Sequence, residues 1–146
     1  MTGDRTPIAF LQTQHNEWAA SFSPDDKWIA YTSDKTGRAE VYVRSFPKGD
    51  KETKISQNGG GSARWRRDGK EIFFLSLDVA MMSVPIDTTK GFTPGALQRL
   101  FPTRQIGFDD QRQYAVANDG QRFLIPIPGP PVPITVLLNW PAKVAK

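Results

Sequence analysis

Phe22-Ser23-Pro24-Asp25-Asp26-Lys27-Trp28-Ile29-Ala30-Tyr31 is the stretch that decides the fold, because the chain writes it three times. Its second form is Trp65-Arg66-Arg67-Asp68-Gly69-Lys70-Glu71-Ile72-Phe73-Phe74, and its third is Val116-Ala117-Asn118-Asp119-Gly120-Gln121-Arg122-Phe123-Leu124-Ile125. In each, apolar residues enter an Asp-Gly-like turn, a basic or amide residue follows, and a second apolar run leaves. This is the pattern of a β-hairpin: Asp caps local backbone N–H groups, and Gly takes the positive φ of a tight turn. Asp26 holds the Gly position in the first copy, a conformation that aspartate tolerates. The three aspartates are therefore expected to be turn residues rather than ligands.

Asp25, Asp68 and Asp119 stand 43 and 51 residues apart, which suits a four-stranded propeller blade of about 40 to 45 residues plus insertions. In the first unit, period-two alternation and turn residues predict strand a over 17–22, b over 28–33, c over 40–46 and d over 53–56. The second unit repeats this with strands over 62–66, 71–75, 81–86 and 97–101. The run 72–77 lacks clean alternation, as expected of a strand covered on both faces. The third unit supplies strand a over 113–117 and b over 122–127. Its Pro-rich stretch 128–133 is too rigid and donor-poor to pair, so it reads as a loop before strand c over 134–140. No strand d follows Pro141. Residues 9–13, however, precede the first strand a at the spacing of a strand d. The formula is d, abcd, abcd, abc.

The predicted fold class is all-β, with three four-stranded antiparallel blades forming half of a six-bladed propeller. It is read as a single unit over 1–146. The blades cover about 17–57, 61–102 and 112–140, and a strand equivalent to residues 8–13 completes the last. Composition agrees: 146 residues suffice for one sizeable core, and 12 Gly with 12 Pro suit many short strands joined by turns. The absence of cysteine excludes disulfides, thiolate nucleophiles and Cys-based zinc sites. A net charge of +4, spread along the chain without a long basic run, argues against nucleic acid as the partner. No apolar run reaches the length of a membrane span, and no export signal is legible. The compartment stays open: periplasmic or extracytoplasmic if a membrane-anchored parent carries the chain, and cytoplasmic otherwise.

The residues Phe22-Ser23-Pro24-Asp25, Lys27-Trp28-Ile29-Ala30-Tyr31, Ser33, Gly37 and Val41-Tyr42-Val43 resemble the TolB-type, WD-like β-propeller repeat. That repeat also occurs in the propeller domains of tricorn-like and prolyl-oligopeptidase-like proteases. The segment Pro133-Ile134-Thr135-Val136-Leu137-Leu138-Asn139-Trp140 further resembles the end of propeller regions attached to bacterial Ser/Thr kinases. The second unit has Arg66-Arg67 in place of the Ser-Pro pair, and the third has Ala117-Asn118. The resemblance implies a structural repeat and transfers no catalytic residue.

Three blades cannot close a ring, since propellers need four to eight. Two copies would give six blades, with the spare strand of one completing the third blade of the other. The expected assembly is thus a two-fold homodimer with strand exchange. The rival reading is a fragment of a longer propeller.

His15 is the lone histidine, and without a Gly-x-Ser-x-Gly elbow it makes no nucleophilic triad. The pairs Asp25-Asp26 and Asp109-Asp110 lack calcium-loop spacing, so neither metal nor cofactor is expected. Gly59-Gly60-Gly61 lacks the Lys-Ser/Thr of a phosphate loop and reads as a bend into an inner strand. Ala19-Ala20 and Ser62-Ala63 read as small residues for crowded inner strands. Propeller geometry puts a binding face at the d-to-a and b-to-c loops, over 14–17, 57–62 and 106–110 with 34–38 beside them. The candidate ligand- or partner-binding residues are His15, Asn16, Glu17, Asn58, Ser62, Arg64, Asp109 and Asp110. Arg64 has two readings: packing beside Trp65, or a channel-mouth cation for an anionic group. The expected function is a non-enzymatic binding or scaffolding module for a protein or peptide. The alternative is an accessory propeller domain of a hydrolase or of a kinase-type signalling protein.

Overall fold

All three hairpin turns form with one hydrogen-bond pattern. Ser23, Arg66 and Ala117 donate their backbone N–H to the carbonyls of Trp28, Glu71 and Arg122 at 2.8–2.9 Å. Asp26, Gly69 and Gly120 have φ of 56°, 72° and 71°, and their N–H groups return to the carbonyls of Ser23, Arg66 and Ala117. The turn aspartates accept the N–H two residues on: Lys27 at 3.3 Å, Lys70 at 3.0 Å and Gln121 at 3.0 Å. These carboxylates are occupied by the backbone they shape. The structure, a computed structural model, describes residue 7, residues 9–103 and residues 114–126.

The first sheet contains β1 (Glu17–Phe22), β2 (Trp28–Ser33), β3 (Glu40–Ser45) and β4 (Glu52–Lys54), antiparallel and in that order. The second contains β5 (Gly60–Trp65), β6 (Glu71–Ser76) and β7 (Ala80–Asp87); the two-residue β8 (Thr93–Pro94) pairs with the end of β7, and β9 (Gln98–Pro102) pairs with its body. A hairpin of β10 (Ala115–Val116) and β11 (Phe123–Leu124) opens the third unit. The expected strand c over 134–140 lies outside the described residues. Residues 9–13, expected as a strand, take no strand pairing here.

The sheets stack face to face. Between the first and second lie Ala30, Val41, Val43 and Ile55 on one side and Ala63, Ile72, Phe74, Val84 and Ile86 on the other. Trp65 seals this layer, its indole N–H donating to Ser21 O at 3.3 Å. Behind the second sheet, Phe73, Leu75 and Met81 pack on Tyr114, Val116, Phe123 and Ile125. Ile72 and Phe74 thus face one neighbour while Phe73 and Leu75 face the other. That is why β6 reads as an unbroken apolar run.

Both inner strands carry a bulge, with register shifts between Trp18 and Ser21 and between Gly61 and Arg64. Ala19 (φ 52°) and Ser62 (φ 57°) occupy equivalent left-handed positions. The small residues therefore serve backbone conformation as well as crowding, since a larger or β-branched side chain is costly there.

Ala19→Gly should leave stability unchanged or raise it by up to about 1 kcal/mol, because glycine takes this φ without a Cβ penalty. Gly60→Ala should cost about 1–3 kcal/mol, since its Cβ would sit 2.7 Å from the Phe74 ring and 3.0 Å from Leu75 O. Denaturant titrations of both variants measure this.

Candidate binding face

The antiparallel order places the start of β1, the end of β2, the start of β3 and the end of β4 at one end of the first sheet. The strand d-to-a crossings and b-to-c turns therefore share that end. There Asn16 donates its backbone N–H to Asp34 Oδ1 at 3.0 Å and its amide to Oδ2 at 2.7 Å. These bonds hold the Asp34 carboxyl below its ordinary range. They also fasten the entry to β1 onto the β2–β3 loop.

Glu40 organises the crossing from β4 to β5. Its side chain is buried and accepts from Arg38 Nε at 2.8 Å, from Gly59 N–H at 2.9 Å and from the Ser56 hydroxyl, with Lys54 Nζ at 3.6 Å. Burial pushes this carboxyl up, but the bonds from Ser56, Arg38 and Gly59 and the Lys54 charge outweigh it and hold the group below the usual range. Arg38 also donates to Gln57 O at 2.9 Å, and Gly60 N–H reaches Ala39 O at 2.9 Å. The amides of Gln57 and Asn58 therefore stand on a pinned backbone.

Those amides rim a cleft of about 260 Å³ between the β4–β5 crossing and the second sheet. Phe74, Met82 and Leu97 form its apolar floor. Opposite the amides, Arg99 pairs with Asp78 at 3.0 Å. An apolar floor with a few convergent polar groups suits a side chain anchored beside a hydrogen-bonding backbone, as in peptide recognition. A second cleft of about 220 Å³ opens at the other end, between the first two hairpin turns, with Trp28 and Trp65 as walls.

The predicted site residues fall in different places. Asn16 joins Asp34 as described, and Asn58 lines the cleft. His15 is exposed, its N–H on Thr13 Oγ1 at 3.0 Å. Glu17 opens β1 opposite Ser33. Ser62 is buried in the bulge and donates its N–H to Thr32 Oγ1 at 3.3 Å. Arg64 is half-buried and donates to Ala63 O at 3.1 Å. Asp109 and Asp110 lie outside the described residues. Sequence reasoning missed Glu40, Met82, Leu97 and the Asp78–Arg99 pair. Only the Arg-x-Glu spacing at 38–40, at the start of an alternating strand, hinted at the first. Among the described residues, no group of three His, Asp or Glu side chains could hold a metal, and no helix is long and apolar enough to cross a membrane.

Antiparallel sheets of four and five strands stacked face to face, the second entered by the crossing from the last strand of the first, form the stacked-blade arrangement of a β-propeller. Comparison with solved structures agrees. TolB from Acinetobacter baumannii matches with a TM-score of 0.59 and 23% identity, over 82% of this chain and 28% of that one. The chain has a TolB-like propeller fold and spans little more than a quarter of that protein's length. No protein-family model and no curated protein sequence matches it.

Glu40→Gln should lower stability at neutral pH by about 1–3 kcal/mol, because it weakens charge-assisted bonds in a buried place. The folded carboxyl is held low, so its contribution is present above the ordinary carboxyl value, about 4.3, and is lost as pH falls through the folded value. Urea midpoints from pH 7 to pH 3 should drop for the wild type and follow a shallower slope in Glu40→Gln.

Proposed function

We propose that this chain is a non-enzymatic β-propeller binding and scaffolding module. A protein or peptide partner is read at the loop end, and the blades close into a six-bladed ring by homodimerisation with strand exchange. The observation that carries the binding reading is the cleft between the β4–β5 crossing and the second blade. Its floor of Phe74, Met82 and Leu97 lies under the pinned amides of Gln57 and Asn58. An extended peptide would lay one apolar side chain on that floor and meet the amides with its backbone. The Asp78–Arg99 pair at the far wall would favour a segment carrying charge of either sign.

A second reading makes the chain an accessory propeller segment of a larger hydrolase or of a kinase-type signalling protein. What favours it is the chain's short span relative to TolB. Under either reading the chain brings no chemistry of its own, and no cofactor or nucleic acid is required.

Selection of a displayed random-peptide library on the immobilised protein should enrich sequences with one apolar anchor. Leu97→Lys should weaken the enriched peptides at least about tenfold, the 1.4 kcal/mol that one lost apolar anchor readily exceeds. A peptidase, esterase and glycosidase substrate panel should show no turnover. Turnover abolished by His15→Ala would overturn the module reading.

A further inference from the structure

The three hairpin turns leave two gaps between them, and the repeat lets the gaps be compared residue by residue. Ser23, Arg66 and Ala117 are equivalents, as are Phe22, Trp65 and Val116, and Trp28, Glu71 and Arg122. Between the second and third turns the stem of Arg66 lies against Gly120, so closely that a Cβ there would sit 2.7 Å from it. Between the first and second turns the small Ser23 stands in the place of Arg66. That gap is open, and it is the cleft of about 220 Å³ walled by Trp28 and Trp65. The same two wall positions in the other gap hold Glu71 and Val116. Only the first gap among the described turns is therefore both open and aromatic.

The walls are held in place before any ligand arrives. Trp65 donates its indole N–H to Ser21 O, and Phe92 packs on both rings, its centroid 5.0 Å from Trp28 and 6.3 Å from Trp65. Both tryptophans remain half-buried, with ring surface left at the cleft.

The rim is polar and carries both signs of charge. Asp25, Asp68, Lys70 and Thr88 line it. The Ser23 hydroxyl holds the Asp25 carboxyl low and Arg66 does the same for Asp68, so both are ionised at neutral pH. One oxygen of Asp25 serves the turn, accepting from Ser23 Oγ at 2.6 Å and from Lys27 N–H at 3.3 Å. Its other oxygen has Lys27 Nζ at 3.9 Å and can accept a further bond. Lys70 is exposed and enters no ion pair among the described residues.

This mixture selects by exclusion. A phosphate or carboxylate would be set against Asp25 and Asp68, and a cation against Lys70. A hydroxyl suits both, because it donates to a carboxylate and accepts from an ammonium. Carbon-bound hydrogens polarised by neighbouring oxygens, in turn, sit well on the negative face of an indole. A ring with hydroxyls around its edge and C–H groups on its faces is a sugar. The cleft is smaller than the roughly 300–1,000 Å³ that takes a drug-sized ligand, which fits one such ring.

We propose that the cleft between Trp28 and Trp65 is a carbohydrate site for one neutral pyranose, whose C–H face lies on an indole and whose hydroxyls meet Asp25 Oδ2, Lys70 Nζ and the Thr88 hydroxyl. The site goes beyond the peptide reading and is independent of it, since the two clefts lie at opposite ends of the sheets. A module with both would hold a protein partner at one end and a sugar at the other.

Saturation-transfer NMR on the full chain tests this, with the methyl pyranosides of glucose, galactose, mannose and N-acetylglucosamine as probes, beside cellotriose and chitotriose. At least one should receive saturation from the protein and quench tryptophan fluorescence. A trisaccharide that binds more tightly than its methyl pyranoside marks a glycan end as the ligand, and equal binding marks a free sugar; either supports the site. Asp25→Asn and Lys70→Ala, both at exposed positions, should each weaken the bound sugar about tenfold, the effect of one hydrogen bond to a charged group. Leu97→Lys, in the peptide cleft, should leave it unchanged. No response to any sugar at about 50 mM, enough to reveal millimolar binding, would overturn the proposal. Sugar binding that survives both rim substitutions would overturn it as well, as would a response to adenosine monophosphate or tetramethylammonium and to none of the sugars.

Discussion

A sheet that is apolar on both faces must be covered on both, and the rest of this molecule follows from that constraint. β6 places Ile72 and Phe74 on one side and Phe73 and Leu75 on the other, all at 2% exposure or less. Burying each such side chain contributes about 1.5–3 kcal/mol, so neither face can be left to water without losing a large part of the stability of a domain this size. The second blade meets the requirement with a neighbour on each side. The first and third, having one neighbour each among the described residues, leave surface of the same character open. Stability in such a stack is close to a sum over blade interfaces.

The polar interactions at the strand ends set direction rather than supply the bulk of the stability. At the hairpin end, three aspartates turn the chain by accepting their own backbone. Arg66 there spans Asp68 and Glu71 at 2.8 and 2.7 Å, and its aliphatic stem lies against Gly120 of the third turn. At the loop end, Glu40 and Asp34 bind the crossings to the β2–β3 connection. The loops at that end can change without disturbing the stacked faces, while their backbones are held in place.

Much of the fold was legible because its signals are local. A turn that needs Asp and a positive φ leaves a trace in four residues, and three traces at blade spacing count the units. The bounds of β1 and β2 come out as read, and the odd texture of 72–77 has the predicted cause. Register was less legible: the expected strand over 53–56 pairs only over Glu52–Lys54, and β5 starts at Gly60. The second shift arises because Gly60 and Gly61 already pair with Ser76 and Leu75 ahead of the bulge at Ser62. The site was less legible still. Asn58 reaches the cleft, but Ser62 is spent on the bulge. The cleft floor comes from β6, β7 and the approach to β9, whose residues share no motif.

The sequence by itself determined the repeat, the turn chemistry and the all-β class, since each depends on contacts a few residues apart. Only the tertiary structure decided which faces meet. Ala30, Phe73 and Leu124 hold equivalent places in the repeat, yet two are buried and one is open. The difference lies in whether, among the described residues, another blade stands behind each, a non-local fact that no period along the chain can encode.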